Sequence, residues 1–228
     1  MTETPIPAVA ELSLAFLGGT GDQGRGLARR FAIAGNRVII GSRQAERAAQ
    51  AATELAATVP DASLVTGVTN EEAAAAADVI VIAVPWEGHE TLVRALGPAL
   101  RGKVVIDCVN PMGFDKQGAF ALPVEEGSAA QQAAALLPES TVVAAFHHVS
   151  AVLLLDETVP TIETDVLVLG DDREATDLVQ ALVDQIAGMR GIYGGRLRNA
   201  GQVEALTANL VSINRRYKAH AGLRVTDV

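Results

Sequence analysis

Short apolar runs and segments of helical period alternate along most of the chain. Residues 12–17 form a compact apolar run that ends in glycines, the pattern of a buried first strand. Residues 22–35 then carry Leu27, Phe31 and Ala34 at helical spacing, with Gly35 placed to stop the helix in the left-handed conformation. Residues 37–40 read as a second strand and 44–57 as an Ala-rich second helix, so residues 12–40 have the length of one βαβ unit. A brief strand at 63–65 precedes the capping box Thr69-Asn70-Glu71-Glu72 and a helix at 73–77. The six small apolar residues 79–84 predict a central strand ended by Pro85. Two further strands, 103–109 and 141–146, are separated by a long loop and a helix near 128–137. A strand at 165–169, a helix at 172–187 capped by Asp171 and Glu174, an extended piece around Ile192 and a long helix at 199–218 complete the pattern.

This alternation predicts an α/β fold: a Rossmann-type, mostly parallel sheet with helices on both faces and a smaller α/β C-terminal part. The expected division is a flexible tail at 1–11, a dinucleotide-binding Rossmann domain at 12–148 and the smaller part at 149–228. Ligands of such sheets sit at the carboxyl ends of the strands. The loops after Leu17, Ile40, Val84, Val109 and Phe146 therefore carry the most weight.

With 49% hydrophobic but only 4% aromatic residues, Ala, Val, Leu and Ile must fill the core, which suits buried parallel strands under Ala-rich helices. A net charge of −9 argues against nucleic acid or an anionic membrane as partner, yet leaves room for an anionic cofactor held by a local arginine cluster. The single cysteine, Cys108, lies in an apolar run and reads as a buried, inert thiol. Residues 1–10 are short and polar, without a basic start or apolar core, and read as a disordered tail instead of a signal peptide. No stretch has the length of a membrane span, and a cytoplasmic enzyme or binding protein is the expectation.

The turn after the first strand is Gly18-Gly19-Thr20-Gly21-Asp22-Gln23-Gly24, with G-x-G-x-x-G at Gly19, Gly21 and Gly24. The chemistry needs one glycine for the tight turn, one for backbone approach to a pyrophosphate and one for close helix–strand packing. The helix start then offers free N–H groups and a positive dipole end to phosphate. Alone the pattern is weak; following a strand and opening a helix, it points to a bound dinucleotide. NAD enzymes carry an acid at the end of the second strand for the ribose 2′-hydroxyl. Here Gly41-Ser42-Arg43 stands there, with Arg47 one turn on, so a 2′-phosphate is welcomed and NADP is the expected dinucleotide. Cations beside a helix N-terminus are otherwise unfavourable, which strengthens that reading.

The remaining loops are less specific. Trp86, after Val84-Pro85, either walls a ring pocket or packs on the sheet; Asn110 either bonds a carboxamide or ribose hydroxyl or starts a turn. His147-His148 follows the strand expected at 141–146; on an extended segment the two rings would point to opposite faces, and no ligand-spaced partner stands nearby, so no metal is expected. His147 is the one expected to touch a substrate. No Tyr-x-x-x-Lys or Ser-x-x-x-Lys proton-transfer pair is recognisable.

Taken together and in order, residues 18–28, Gly41-Ser42-Arg43, Val84-Pro85-Trp86, Gly170-Asp171-Asp172 and Val203-Glu204-Ala205-Leu206-Thr207 resemble the coenzyme F420-dependent NADP oxidoreductase family over about residues 12–222. The resemblance implies reversible hydride transfer between carbon 4 of NADP(H) and carbon 5 of the deazaflavin coenzyme F420, with the rings stacked. It assigns Gly19, Thr20, Gly21, Asp22, Gln23, Gly24, Ser42, Arg43 and Arg47 to the adenosine and pyrophosphate side of NADP. Val84, Asn110 and Ala151 would line the ribose-nicotinamide side. His147, Val149, Ala221 and Gly222 would approach the deazaflavin, with the C-terminal part completing that pocket. Ser150, where the family suggests Pro, and Asn110, where it suggests an apolar residue, depart from the pattern. The family further implies a homodimer through the last helix, with Leu206, Leu210 and Ile213 as contacts, while Arg215, Arg216 and Lys218 either meet an anionic tail of the coenzyme or form a solvated face. Two other functions fit the same nucleotide domain: an NADPH-dependent reductase of flavin, ferric iron or an imine, and a non-catalytic NADP(H) sensor.

Overall fold

The structure, a computed structural model, describes residues 9–228; of the expected N-terminal tail, residues 1–8 lie outside it, and Val9–Glu11 form a 3-10 turn. In chain order, β1 (Ser13–Leu17), α1 (Asp22–Ile33), β2 (Arg37–Ser42), α2 (Ala45–Ala56), β3 (Val65–Thr69), α3 (Asn70–Ala76) and β4 (Val79–Ile82) build the first half. Then come α4 (Trp86–Leu100), β5 (Val104–Asp107), β6 (Met112–Asp115), β7 (Gly118–Ala121), α5 (Ala129–Leu136) and β8 (Thr141–Ala144). The chain closes with α6 (Ala151–Leu155), β9 (Thr164–Gly170), α7 (Arg173–Asp184), β10 (Met189–Gly195) and α8 (Ala200–Tyr217).

Eight strands form one sheet in the order β10-β9-β8-β5-β4-β1-β2-β3. Every neighbouring pair is parallel except β8 and β9, where Val143 faces Gly170 and Ala144 faces Leu169 in antiparallel register. The chain thus reverses direction once, at β9, and β10 follows β9. Strand residues alternate between two cores as the pleat requires. Leu14 and Phe16 of β1 and Val79 and Val81 of β4 meet α1, α2 and α7 on one face. Ala15, Leu17, Ile80 and Ile82 meet α3, α4, α5 and α8 on the other. Helix ends follow local chemistry: Thr69 and Glu72 complete the capping box of α3, and Gly35 takes φ +102° just past α1.

Several boundaries differ from the sequence expectation. The brief strand expected at 63–65 is a 3-10 turn, Ala62–Leu64, and β3 follows it. Asp172, not Asp171, caps α7, accepting from the Ala175 N–H at 2.8 Å. The expected long loop after β5 contains the β6–β7 hairpin, and the piece around Ile192 is a seven-residue strand. Helices α4 and α6 were not anticipated.

Candidate active site

The turn from Gly18 to Gly21 sits between β1 and α1, beside the crevice where the strand order passes from β2 through β1 to β4. Gly18 adopts φ +71°, and a methyl there would strike Val84 Cγ1 at 2.3 Å. The Gly19 N–H donates to the carbonyls of Phe16 and Gly41 at 3.0 and 3.1 Å, and an added Cβ would lie 2.6 Å from the Phe16 oxygen. At Gly24 a Cβ would lie 2.8 Å from Gly19 Cα, so α1 packs directly on the turn. Gly21 is different: its added Cβ would meet only the Gly18 oxygen, at 3.8 Å, and otherwise open space. Among the described residues no fold contact explains a glycine there, whereas a phosphate lying on the backbone would. Among the described residues, the N–H groups of Thr20, Asp22 and Gln23 at the start of α1 find no backbone or side-chain acceptor. The residues present therefore fit a pyrophosphate.

Asn70, which sequence reasoning treated only as part of a helix cap, braces this cradle. Its buried Oδ1 accepts from the Gly18 N–H at 3.2 Å, and Gly41 passes too close to it for any side chain. At the end of β2, Ser42 is buried and its Oγ accepts from the Gln44 N–H at 3.3 Å. Arg43 and Arg47 are exposed, and among the described residues neither pairs with a carboxylate. Two free guanidinium groups beside the start of α2 make the local positive region an NADP 2′-phosphate requires.

The loop after β8 is held from three directions. Phe146 takes φ +64°, an uncommon conformation for a bulky residue, and its ring meets Phe31 edge-on at 6.0 Å. The Gln23 amide reaches from the phosphate turn to donate to the Phe146 carbonyl at 3.3 Å. Asn110 Nδ2 and Thr207 Oγ1 both donate to the His147 carbonyl, at 2.7 and 2.9 Å. Among the described residues, this leaves Asn110 Oδ1 and both His147 ring nitrogens buried without a hydrogen bond of good geometry. Burial pushes the His147 pKa down to about 4, against the pull of Asp107, so the ring is neutral at neutral pH. Since β8 ends at Ala144, the histidine pair occupies a turn, and the expectation of two rings on opposite faces of a strand does not apply.

Val149, Ser150 and His148 form one wall of a small cavity, and Thr164 with the Ala221-Gly222 segment forms the other. The structure thus brings Val149, Ala221 and Gly222 together, with Ala151 at the start of α6 next to them. The His147 ring is only 2% exposed and is not part of this lining. His148 is: its Nε2 accepts from the Leu167 N–H of β9 at 3.2 Å, and burial holds its pKa at about 4.

A buried polar cluster lies under the same edge, and no local sequence signal announced it. His89 Nε2 is 2.6 Å from Asp107 Oδ2, and His89 Nδ1 is 3.0 Å from Gln132 Oε1. Gln132 donates its amide to Glu126 at 3.3 Å, which turns its oxygen toward the imidazole. An acceptor stands at each ring nitrogen of His89, which favours its charged form: burial lowers its pKa, but the hydrogen bond and charge of Asp107 outweigh that and leave it raised. Trp86 stacks on His89 at 5.5 Å, so it packs on this cluster. Asp107 Oδ1 accepts from the Val109 N–H at 3.0 Å and so shapes the turn that presents Asn110.

Residues 13–111 match the family model described as NADP oxidoreductase coenzyme F420-dependent. The F420-dependent NADP reductase of Methanothermobacter thermautotrophicus is 41% identical over 226 residues, covering 96% of this chain and 97% of that protein. That of Methanocaldococcus jannaschii is 36% identical over 224 residues, covering 95% and 99%. The chain belongs to the coenzyme F420-dependent NADP oxidoreductase family. A crystal structure from Arthrobacter sp. FB24, provisionally described as an F420-dependent NADP-reductase, superimposes with a TM-score of 0.77 at 25% identity, covering 94% of this chain and 99% of that one. Pyrroline carboxylate reductase of Plasmodium falciparum shares the fold at a TM-score of 0.57 and 13% identity, covering 91% and 64%. The glycine turn after β1 and the cavity beside the β8 loop both lie at the carboxyl edge of the sheet. No described helix is long and apolar enough to cross a membrane.

Proposed function

We propose that this chain transfers a hydride between NADP(H) and coenzyme F420, in either direction, using the carboxyl edge of the sheet as its active site. The observation that carries the reading is Gly21, a turn glycine demanded by nothing in the fold, next to a second strand that ends in Ser42 and Arg43 instead of a carboxylate. Family membership and the names of the methanogen relatives support the choice of acceptor.

In this assignment the α1 start and the backbone of Thr20, Gly21, Asp22, Gln23 and Gly24 hold the pyrophosphate, with Gly19 closing the turn. Ser42, Arg43 and Arg47 hold the 2′-phosphate. Val84, Asn110 and Ala151 flank the ribose and nicotinamide, and the unpartnered Asn110 Oδ1 is an acceptor for a carboxamide N–H. His147, Val149, Ala221 and Gly222 shape the acceptor side, so residues 12–148 carry the dinucleotide and residues 149–228 complete the deazaflavin pocket. Bound NADPH supplies a hydride from carbon 4, which carbon 5 of the deazaflavin takes up as an electron pair with its proton. The protein's part is to hold two rings in contact, a near-attack arrangement worth on the order of 7–11 kcal/mol at most. His147, uncharged at neutral pH, positions and does not transfer a proton.

The assay mixes the pure chain with NADPH and oxidised F420 and follows the visible absorbance of the deazaflavin, which should bleach. Turnover with flavin, ferric iron or an imine but not F420 would move the activity to another acceptor, and NADPH binding with no oxidation by any of them would leave a sensor. The enzyme is also proposed to be cytoplasmic and homodimeric through α8. Ile213 and Tyr217 are exposed on α8 at 40% and 73%, whereas Leu210 is buried within the chain and is not available as a contact. Light scattering should give twice the mass of one chain, and cell fractionation should place the protein with the soluble fraction.

A further inference from the structure

The segment after α8 has no helix or strand of its own, with Leu223 and Val225 only half-buried, yet it is tied down residue by residue. Lys218 ends α8 in the left-handed conformation at φ +52°. The Asn214 side chain then accepts from the Ala221 N–H at 2.6 Å. Thr164 Oγ1 accepts from the Leu223 N–H at 3.1 Å, and the Asp165 N–H donates to the Leu223 carbonyl at 2.9 Å. At Gly222 an added Cβ would lie 2.5 Å from Thr164 Oγ1, so only glycine lets the segment run this close to β9.

Asp165 is the centre of these ties. Its side chain is fully buried, and both oxygens are engaged twice. Oδ1 accepts from Arg190 Nε and Arg224 Nη1, each at 2.8 Å, while Oδ2 accepts from Arg190 Nη2 at 2.7 Å and the Val225 N–H at 2.6 Å. Arg190 also donates to the Val225 carbonyl at 3.0 Å, and Arg224 pairs with Glu163. Two guanidinium groups and two carboxylates make the cluster neutral overall. A carboxylate is tolerated in such a place only with its partners present.

We infer that Asp165, with Arg190 and Arg224, is a positioning group that fixes the segment 219–225 as the outer wall of the acceptor pocket and so sets its width. This rests on the F420 reading above. The cavity has one wall on the β8 loop, at His148, Val149 and Ser150, and the other on His220, Ala221 and Gly222. Only the second wall depends on the clamp. The phosphate turn follows β1, which β8, β5 and β4 separate from β9. At adjacent-strand spacing that is about 19 Å, too far for the clamp to touch the dinucleotide's phosphates.

The test uses the full chain with Arg224→Gln, Arg224→Lys and Asp165→Asn. Michaelis constants for oxidised F420 are measured at saturating NADPH, NADPH affinity by fluorescence titration without F420, and protection of the Leu223 and Val225 amides by hydrogen exchange. Arg224→Gln should raise the F420 Michaelis constant about tenfold, the loss of one charged hydrogen bond, with NADPH affinity unchanged within about twofold. Amide protection should fall in the same variant, and Arg224→Lys should recover most of both. Asp165→Asn should exceed Arg224→Gln in the same direction; if it fails to fold, the arginine pair still decides the matter. An unchanged F420 constant despite lost protection overturns the inference, as does an equal loss of NADPH affinity. A wild-type chain inert toward F420 would instead sink the acceptor assignment itself, and the wall's role with it; that failure is visible before any variant is made.

Discussion

Alanine at Gly21 and alanine at Gly24 should behave in opposite ways, because the two glycines are required by different partners. Gly21 has φ −80° and ψ 164°, an extended conformation open to any L-residue, and its new methyl would meet nothing closer than 3.8 Å. Ala is a poorer N-cap than Gly, by up to about 1 kcal/mol. It also removes unfolded-chain freedom worth about 0.4–1 kcal/mol, and the two offset. Gly21→Ala should therefore melt within about 2 °C of the parent. At Gly24 the methyl would lie 2.8 Å from Gly19 Cα, a backbone atom that cannot swing aside. The strain, about 1–3 kcal/mol, is larger than the roughly 0.5–1 kcal/mol a helix gains from Gly→Ala. Melting should fall by roughly 2–4 °C for each net kcal/mol lost in a chain of this size. Binding sorts the other way for Gly21: a methyl on the face offered to the pyrophosphate breaks a charge-assisted contact worth about 1.5–3 kcal/mol, so NADPH should bind about tenfold to a hundredfold more weakly. Differential scanning fluorimetry and fluorescence titration read the two quantities independently. A Gly21→Ala protein that melts normally and binds NADPH like the parent would refute the cradle.

Arg43→Ala tests the dinucleotide preference: it should weaken NADP(H) by about 1.5–3 kcal/mol and leave NAD(H) nearly untouched by calorimetry, and equal weakening of both would remove the 2′-phosphate role. Glu204 provides a pH prediction. It is 3% exposed, accepts from the Ala129 and Ala130 N–H groups at the start of α5, and burial raises its pKa to about 7 from an ordinary 4.5. Between those values the folded chain holds a proton that the unfolded chain has released, so this contribution to stability is complete below about pH 4.5 and lost as pH rises through about 7. Glu204→Gln keeps one of the two acceptor oxygens, which lowers stability at every pH, but it removes the titration and should flatten the decline in melting temperature across that window; a slope identical to the parent's would show that Glu204 does not titrate there.

The fold of the first half was legible because its signals are local. A glycine turn, the helix it opens and the end of the next strand fall within residues 18–47, and the spacing itself states the steric requirement. Cys108 was read as buried on the same kind of local evidence, and it is 5% exposed. What failed to show was structure whose cause lies far along the chain. Helix α4 carries Gly88, Gly97 and Pro98, which depress its propensity, and it stands because Val93, Leu96 and Leu100 bury against the sheet. The β6–β7 hairpin reads as loop by composition and is supported by packing against α8.

The reversal of direction at β9 has the most consequence for function, and nothing in residues 164–170 alone encodes it. Strand direction is set by whom a strand meets, here Val143 and Ala144 of β8, and a run such as Thr164–Gly170 is equally apolar in either sense. Had β9 continued the parallel order, Thr164 and Asp165 would lie at the opposite edge of the sheet from the β8 loop. Reversed, they come to the carboxyl edge, where Asp165 can gather Arg190, Arg224 and the C-terminal segment beside His148 and Val149. The two halves of the site thus differ in how they are specified. The proposed phosphate seat is written in consecutive residues, while the proposed acceptor wall depends on groups 25 and 59 positions from Asp165 that only the folded sheet brings together. Substitutions should accordingly alter acceptor choice more readily than dinucleotide choice, since the wall can shift without unmaking the turn.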